Sequence, residues 1–297
     1  MNQLMNTDIL HAARQISRAQ AILVGAGAGM GVDSGLPDFR GDEGFWRAYP
    51  PLKRLGLSFV NIANPAWLDA DPKLAWGFYG HRLHLYRDTD PHEGFYILRR
   101  WMTRVGSGFV FTSNVDGQFQ KAGYAEDELV ECHGSLHHLQ CIEGCSRAIW
   151  SASGTNVSVN LDTFQAADPL PACPHCGALA RPNVLMFGDG GWCPERTAAQ
   201  EAAFRRWLGK IRGTRLVIIE CGAGRAVPTV RVTCEAVARD LGATLIRINP
   251  RDSEGPPGTI SMVAGALATL TEIERAIDRG IRDHGQRSFA SNRHTLL

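Results

Sequence analysis

The chain is short of the features that mark several common protein classes. Its 297 residues carry 31 Lys plus Arg against 30 Asp plus Glu, a formal charge of +1 with the histidines neutral. A balance this flat leaves no broad cationic surface, which argues against nucleic-acid or membrane-surface binding. No stretch approaches the roughly 18–20 apolar residues of a membrane span, and the apolar run at 21–24 breaks into glycines. The amino terminus, Met1-Asn2-Gln3-Leu4-Met5-Asn6, lacks a basic segment followed by an apolar one, so it does not read as a secretion signal. The expected location is the cytoplasm, where eight cysteines point to metal binding or free thiols rather than disulfides. There is no internal repeat and no low-complexity tract.

What is present is a globular composition, 44% hydrophobic, on a chain long enough for one large domain and a smaller one. Residues 7–20 place Ile9, Leu10, Ala13, Ile16 and Ser17 at helical spacing, with Thr7 or Asp8 as the N-cap. Apolar runs at 21–24, 108–111, 216–219 and 244–248 read as buried parallel strands, with helix-like stretches at 93–104, 195–211 and 228–241. That alternation predicts an α/β fold with a doubly wound, Rossmann-like parallel sheet. Two stretches break the rhythm. Residues 41–80 combine Phe45, Trp46, Tyr49, Phe59, Trp67, Trp76, Phe78 and Tyr79 with Pro50, Pro51, Pro65 and Pro72, which predicts an inserted helical module. Residues 137–180 hold two cysteine pairs around a polar connector and predict a small ribbon. The sheet domain is thus expected to be discontinuous, over 1–40, 81–136 and 181–279, with 280–297 a mobile polar tail.

The strand at 21–24 feeds Gly25-Ala26-Gly27-Ala28-Gly29-Met30-Gly31. Such a loop lets backbone amides approach a pyrophosphate, although a tight turn without a ligand has the same composition. The dehydrogenase pattern G-x-G-x-x-G is absent, since five positions on from Gly25 and Gly27 stand Met30 and Val32. Asp38, Phe39 and Arg40 follow, and an arginine there can neutralise phosphate. Thr112-Ser113-Asn114-Val115-Asp116-Gly117 lies at a strand's carboxyl end, where α/β sheets keep their ligands. In Glu131-Cys132-His133-Gly134-Ser135 an imidazole can act as a base near neutrality, though a lone histidine is more often structural.

Cys141 and Cys145 are separated from Cys173 and Cys176 by 27 residues. Four thiolates in two short knuckles suit a structural tetrahedral zinc, against the alternatives of a redox pair or unliganded thiols. His175 could replace one thiolate. Cys132, Cys193, Cys221 and Cys234 have no partner at ligand spacing.

Together these segments resemble the sirtuin family. The stretch from Gly27 to Arg40 resembles its GAG and SGIPDFR signature, 112–117 its TQNIDG, 131–135 its E-x-HGS, and the ribbon follows in family order. Arg181 to Asp189 resembles RPxVVxFGE, 222–224 stand where the family has GTS, and Ile248-Asn249 matches its I-N step. The chain is identified as a divergent, bacterial-type member. The resemblance implies an NAD-dependent protein-lysine deacylase releasing nicotinamide and O-acyl-ADP-ribose. His133 would be the general base, with Asn114 and Asp116 at the catalytic centre. NAD would lie against Gly27, Ala28, Gly29, Asp38, Phe39, Arg40, Ser113, Asn114, Val115, Asp116, Gly222, Ala223, Gly224 and Asn249. An acyl-lysine peptide would add as a strand beside Val184, Phe187 and Gly188, and no obligate partner is implied. Ser113, Phe119 and Asp189 depart from the family pattern and favour a second reading, NAD hydrolysis or mono-ADP-ribosyl transfer. A non-catalytic NAD-sensing or zinc module is the third, and the retention of His133, Asn114 and Asp116 argues against it.

Overall fold

The computed structural model describes residues 3–37 and 41–291, with side chains described for 7–37 and 43–280. In chain order the strands are β1 (Ala21–Ala26), β2 (Gly108–Thr112), β3 (Leu129–Glu131), β4 (Gly134–Cys141), β5 (Ile149–Ser151), β6 (Val159–Asn160), β7 (Gln165–Ala166), β8 (Ala180–Val184), β9 (Leu216–Cys221), β10 (Thr244–Ile248) and β11 (Ile260–Met262). The α-helices are α1 (Gln3–Ser17), α2 (Gly41–Ala48), α3 (Pro50–Arg54), α4 (Phe59–Ile62), α5 (Ala66–Ala70), α6 (Pro72–Asp88), α7 (Glu93–Val105), α8 (Gln118–Lys121), α9 (Glu195–Lys210), α10 (Thr229–Leu241) and α11 (Ala266–Ser291).

The four apolar runs all form strands of one six-stranded sheet, ordered β11-β10-β9-β1-β2-β3, in which every neighbouring pair is parallel. Every residue of β1 is buried, as expected of a strand covered on both faces. Ile16, Trp101 and Ile273, from α1, α7 and α11, pack on one face, and Phe204 and Val230, from α9 and α10, on the other. The fold is therefore the expected doubly wound α/β sheet. Helix α1 starts at Gln3 rather than at a Thr7 or Asp8 cap, and of its expected apolar face Leu10 is 43% exposed while Ile9, Ala13 and Ile16 are buried. The reading of 280–297 as a mobile tail meets a helix, because α11 continues to Ser291; residues 292–297 lie outside the described residues.

The aromatic stretch forms α2 to α6, and α6 runs past residue 80 to Asp88. Pro72 occupies its first turn, and the Asp71 side chain accepts from the Leu74 amide at 3.0 Å. This module and the ribbon share one core in which Phe45, Tyr49, Trp76 and Phe78 meet Leu136, Phe164 and Ala180. The Trp76 indole donates to the Ala180 carbonyl at 3.0 Å. A Cβ on Gly77 would stand 2.0 Å from the Phe164 oxygen, so this glycine is what lets the ribbon cross α6. No helix among the described residues is long and apolar enough to cross a membrane.

Candidate functional site

Parallel pairing puts the carboxyl ends of β1, β2, β9 and β10 on one edge of the sheet, the place where such sheets bind ligands. Loops leaving those strands enclose a cavity of about 690 Å³. From the residues singled out in the sequence it gathers Gly27, Ala28, Ser113, Asn114, Val115, Asp116, His133, Phe187, Gly222, Ala223 and Gly224. These come from segments nearly 200 residues apart in sequence, and the fold brings them onto one wall.

The glycines act first on the protein itself. A Cβ on Gly27 would stand 2.7 Å from the Ala223 Cα, and one on Gly222, at φ +64°, 2.3 Å from the Gly29 carbonyl carbon. Only two bare backbones can approach this closely, and the Gly27 and Gly29 amides donate across the gap to the Cys221 and Gly222 oxygens at 3.0 and 3.1 Å. The amides of Ala28, Ala223 and Gly224 donate to no acceptor among the described residues, and all three residues line the cavity.

Beside this loop pair stand the three candidate catalytic groups. The Asn114 side-chain amide donates to the Gly27 carbonyl at 3.1 Å, and its backbone amide to the Thr112 hydroxyl at 3.0 Å, which ties the β1 and β2 loops together. Asp116 is buried, and burial pushes its carboxyl up to about 6, against the opposing pull of the Gln118 amide and the Arg82 guanidinium. Burial also lowers the His133 pKa below the ordinary imidazole value, partly offset by a backbone hydrogen bond at Ser113. At neutral pH His133 is therefore uncharged and able to accept a proton. Its Nε2 lies 3.4 Å from the Thr229 hydroxyl. His137 lies beneath the same loop, with Nε2 2.9 Å from the Asp116 carbonyl and its ring in the space a Cβ on Gly117 would fill.

The Sir2 family model matches residues 27–203, which contain the first glycine loop from Gly27 on, the 112–117 loop, His133 and both cysteine pairs. The chain belongs to the Sir2 family. An NAD-dependent protein deacylase from Thermus thermophilus is 31% identical over 265 residues, covering 86% of this chain and 90% of that one. Another NAD-dependent protein deacylase, from Aeropyrum pernix, is 28% identical over 268 residues, covering 90% and 94%. Among solved structures, a Sir2 homolog–NAD complex aligns with a TM-score of 0.67 at 22% identity, covering 91% of this chain and 94% of that one, and supports the fold.

Within this Sir2-family chain the departures from the sirtuin pattern are unequal. Of Ser113, Phe119 and Asp189, only Ser113 lines the cavity, as do Ala223 and Gly224 where the family has GTS. Phe119 is buried against Phe95 and Tyr124, and Asp189 pairs bidentately with Arg181, both carboxylate and guanidinium being buried. Asp38, Phe39 and Arg40 lie outside the described residues, although Leu36 and Pro37 just before them line the cavity. Asn249 is fully buried and absent from the cavity wall. Its amide nitrogen donates to the Ala223 carbonyl at 2.9 Å, and its oxygen accepts from the Arg251 and Asp252 amides. Gly29 and Gly188 stand outside the wall, and Val184 is buried in the shared core, whereas Phe187 is 36% exposed and rests edge-on against Phe59.

Sequence reasoning missed Arg82 and Tyr86, which line the cavity from α6. Arg82 is 5% exposed, and its Nε and Nη2 donate to the Tyr86 hydroxyl at 3.0 and 2.6 Å. The available signal was a charge four residues before a tyrosine on a helix face otherwise built of Trp76, Phe78, Tyr79 and Leu83.

The four ribbon cysteines converge, with all their sulfurs within 4.8 Å of one another and His175 outside the group. Cys141 and Cys176 sulfurs are 3.6 Å apart, and Cys145 and Cys173 sulfurs 3.7 Å. Disulfide sulfurs would be about 2.0 Å apart, whereas zinc–sulfur bonds of about 2.3 Å set a tetrahedral edge near ~3.8 Å. The donor set therefore fits a closed zinc site, and no side chain there leaves a position open for catalysis.

Proposed function

We propose that this protein is an NAD-dependent protein-lysine deacylase in which His133 is the general base. The observation that carries the reading is the convergence of a neutral histidine, Asn114, a buried carboxyl at Asp116 and unpartnered backbone amides on one cavity at the carboxyl ends of parallel strands. When bound, NAD would supply an electrophilic ribose carbon and nicotinamide as the leaving group. The loops at Gly27-Ala28-Gly29 and Gly222-Ala223-Gly224 would hold its phosphates and adenosine side through backbone amides. Ser113, Asn114, Val115 and Asp116 would hold the nicotinamide ribose, and Asn249 would act from behind the wall by fixing the Ala223 carbonyl. His133 takes a proton from a ribose hydroxyl, for which its depressed pKa keeps it in the free-base form. Phe187 and the segment from Val184 to Gly188 would form the edge that receives the acyl-lysine peptide. The zinc carried by Cys141, Cys145, Cys173 and Cys176 would hold the ribbon, and with it the β4–β8 edge, in place.

Two of the three departures that favour NAD hydrolysis or ADP-ribosyl transfer lie in packed structure away from the cavity, which removes most of the support for that reading. Product analysis tests the proposal: NAD and an acetyl-lysine peptide should yield free lysine peptide and O-acetyl-ADP-ribose, both resolved by mass spectrometry. Free ADP-ribose with intact acetyl-peptide would refute it.

A further inference from the structure

Two arginines stand behind the second glycine loop. Arg247 of β10 faces Glu220 of β9 across the sheet, and neither is exposed. Its Nε and Nη2 reach the two Glu220 carboxylate oxygens at 2.6 and 2.8 Å, Nη2 also reaches Glu235 at 2.8 Å, and Nη1 donates to the Glu254 carbonyl at 2.6 Å. Arg231 of α10 is 7% exposed and, among the described residues, donates only to backbone: to Asp252 at 2.6 Å, to Glu254 at 2.7 Å and to Ala223 at 3.4 Å. One guanidinium thus ties the loop after β9 to the loop after β10, which between them form one side of the cavity.

The Ala223 carbonyl is the informative acceptor. It receives Arg231 and the Asn249 amide together, the latter at 2.9 Å. In a planar trans peptide the next N–H points opposite to the carbonyl, so fixing the Ala223 oxygen also fixes the direction of the Gly224 amide. A cation at the carbonyl end polarises that amide and makes it a stronger donor. Ala223 and Gly224 have no side-chain donors, both line the cavity, and the Gly224 amide has no acceptor among the described residues.

We infer that Arg231 is a positioning residue for the dinucleotide, orienting and polarising the Gly224 amide through the Ala223 carbonyl as a donor to a phosphate or ribose oxygen. The inference rests on the NAD reading above. It assigns Arg231 to binding rather than to the chemical step.

Calorimetry with NAD and with ADP-ribose, alongside steady-state kinetics, tests it. Arg231→Met should weaken both ligands roughly 10- to 100-fold, as loss of a charge-assisted contact does. Arg231→Lys, which keeps the charge but not the fork, should give a smaller loss in the same direction. In both, kcat at saturating NAD and KM for the peptide should stay within about twofold. Gly224→Pro deletes the amide itself, and Arg231→Met added to it should weaken NAD no further. Wild-type affinity in folded Arg231→Met or Arg231→Lys protein overturns the inference, as do independent, multiplying losses in the double variant. Should the Met variant not fold, the Lys variant alone and combined with Gly224→Pro carries the same comparison. Failure of the wild-type protein to bind either ligand would instead overturn the NAD reading beneath it.

Discussion

Gly222→Ala is the sharpest perturbation of the loop pair that frames the cavity. The added methyl would stand 2.3 Å from the Gly29 carbonyl carbon and the Met30 nitrogen, both backbone atoms with no rotamer to escape into. The residue also sits at φ +64°, which costs an L side chain about 1–2 kcal/mol. Overpacking against backbone adds about 1–3 kcal/mol, so the loss is expected to be about 2–5 kcal/mol. At roughly 2–4 °C per kcal/mol for a chain of this order, Tm should fall by about 4–20 °C. The control is the same chemical change at Gly209 in α9, where a Cβ meets nothing within 4 Å; Gly209→Ala should hold or slightly raise Tm. Thermal unfolding read by calorimetry and circular dichroism, with NAD affinity measured on the same samples, tests both. Equal Tm values for the two variants would refute the claim that these glycines exist to let two backbones meet.

Four further expectations can be checked directly. His133→Ala should lower product formation by about 10²–10⁴-fold, the usual contribution of a general base, while calorimetry still detects NAD. In the wild-type enzyme kcat/KM should level off near neutrality and fall on acidification, with a midpoint below 6.5 because burial depresses the His133 pKa. Asp116 has its carboxyl pushed from 3.8 up to about 6 on folding, so its ionisation opposes stability as pH rises through that window. Asp116→Asn should therefore be inactive yet up to about 3 kcal/mol more stable at pH 7, with the difference vanishing near pH 4, in denaturant titrations. Metal analysis should find one zinc per chain; its removal should unfold the ribbon and release the Trp76 indole from the Ala180 carbonyl, read by tryptophan fluorescence.

Local features were legible in the sequence, and features made by distant contacts were not. Four of the six strands of the main sheet announced themselves as buried apolar runs. The three-residue strands β3 and β11 are too short to show a period, and they exist because β2 and β10 offer them parallel partners. The cysteine spacing foretold the sulfur cluster, since four ligands in two knuckles need little outside themselves to converge. Arg82 and Tyr86 went unread because a charge four residues before a tyrosine on an apolar helix face marks a buried pair without showing that the pair faces a cavity. Asn249 was assigned to NAD from its match to the family's I-N step, and its burial beneath Ala223 depends on the loops after β9 and β10, which meet only in the folded chain. Much the same holds for Phe119 and Asp189, whose departures from the sirtuin pattern looked functional in one dimension and are structural in three.

The central claim is that cleavage of NAD in this cavity is coupled to removal of an acyl group from lysine. Simultaneous quantification of nicotinamide and deacylated peptide in one reaction tests it most directly. The expected result is one nicotinamide per lysine freed, with little nicotinamide when peptide is omitted. Nicotinamide released at the same rate with and without the acyl-lysine peptide would contradict the account.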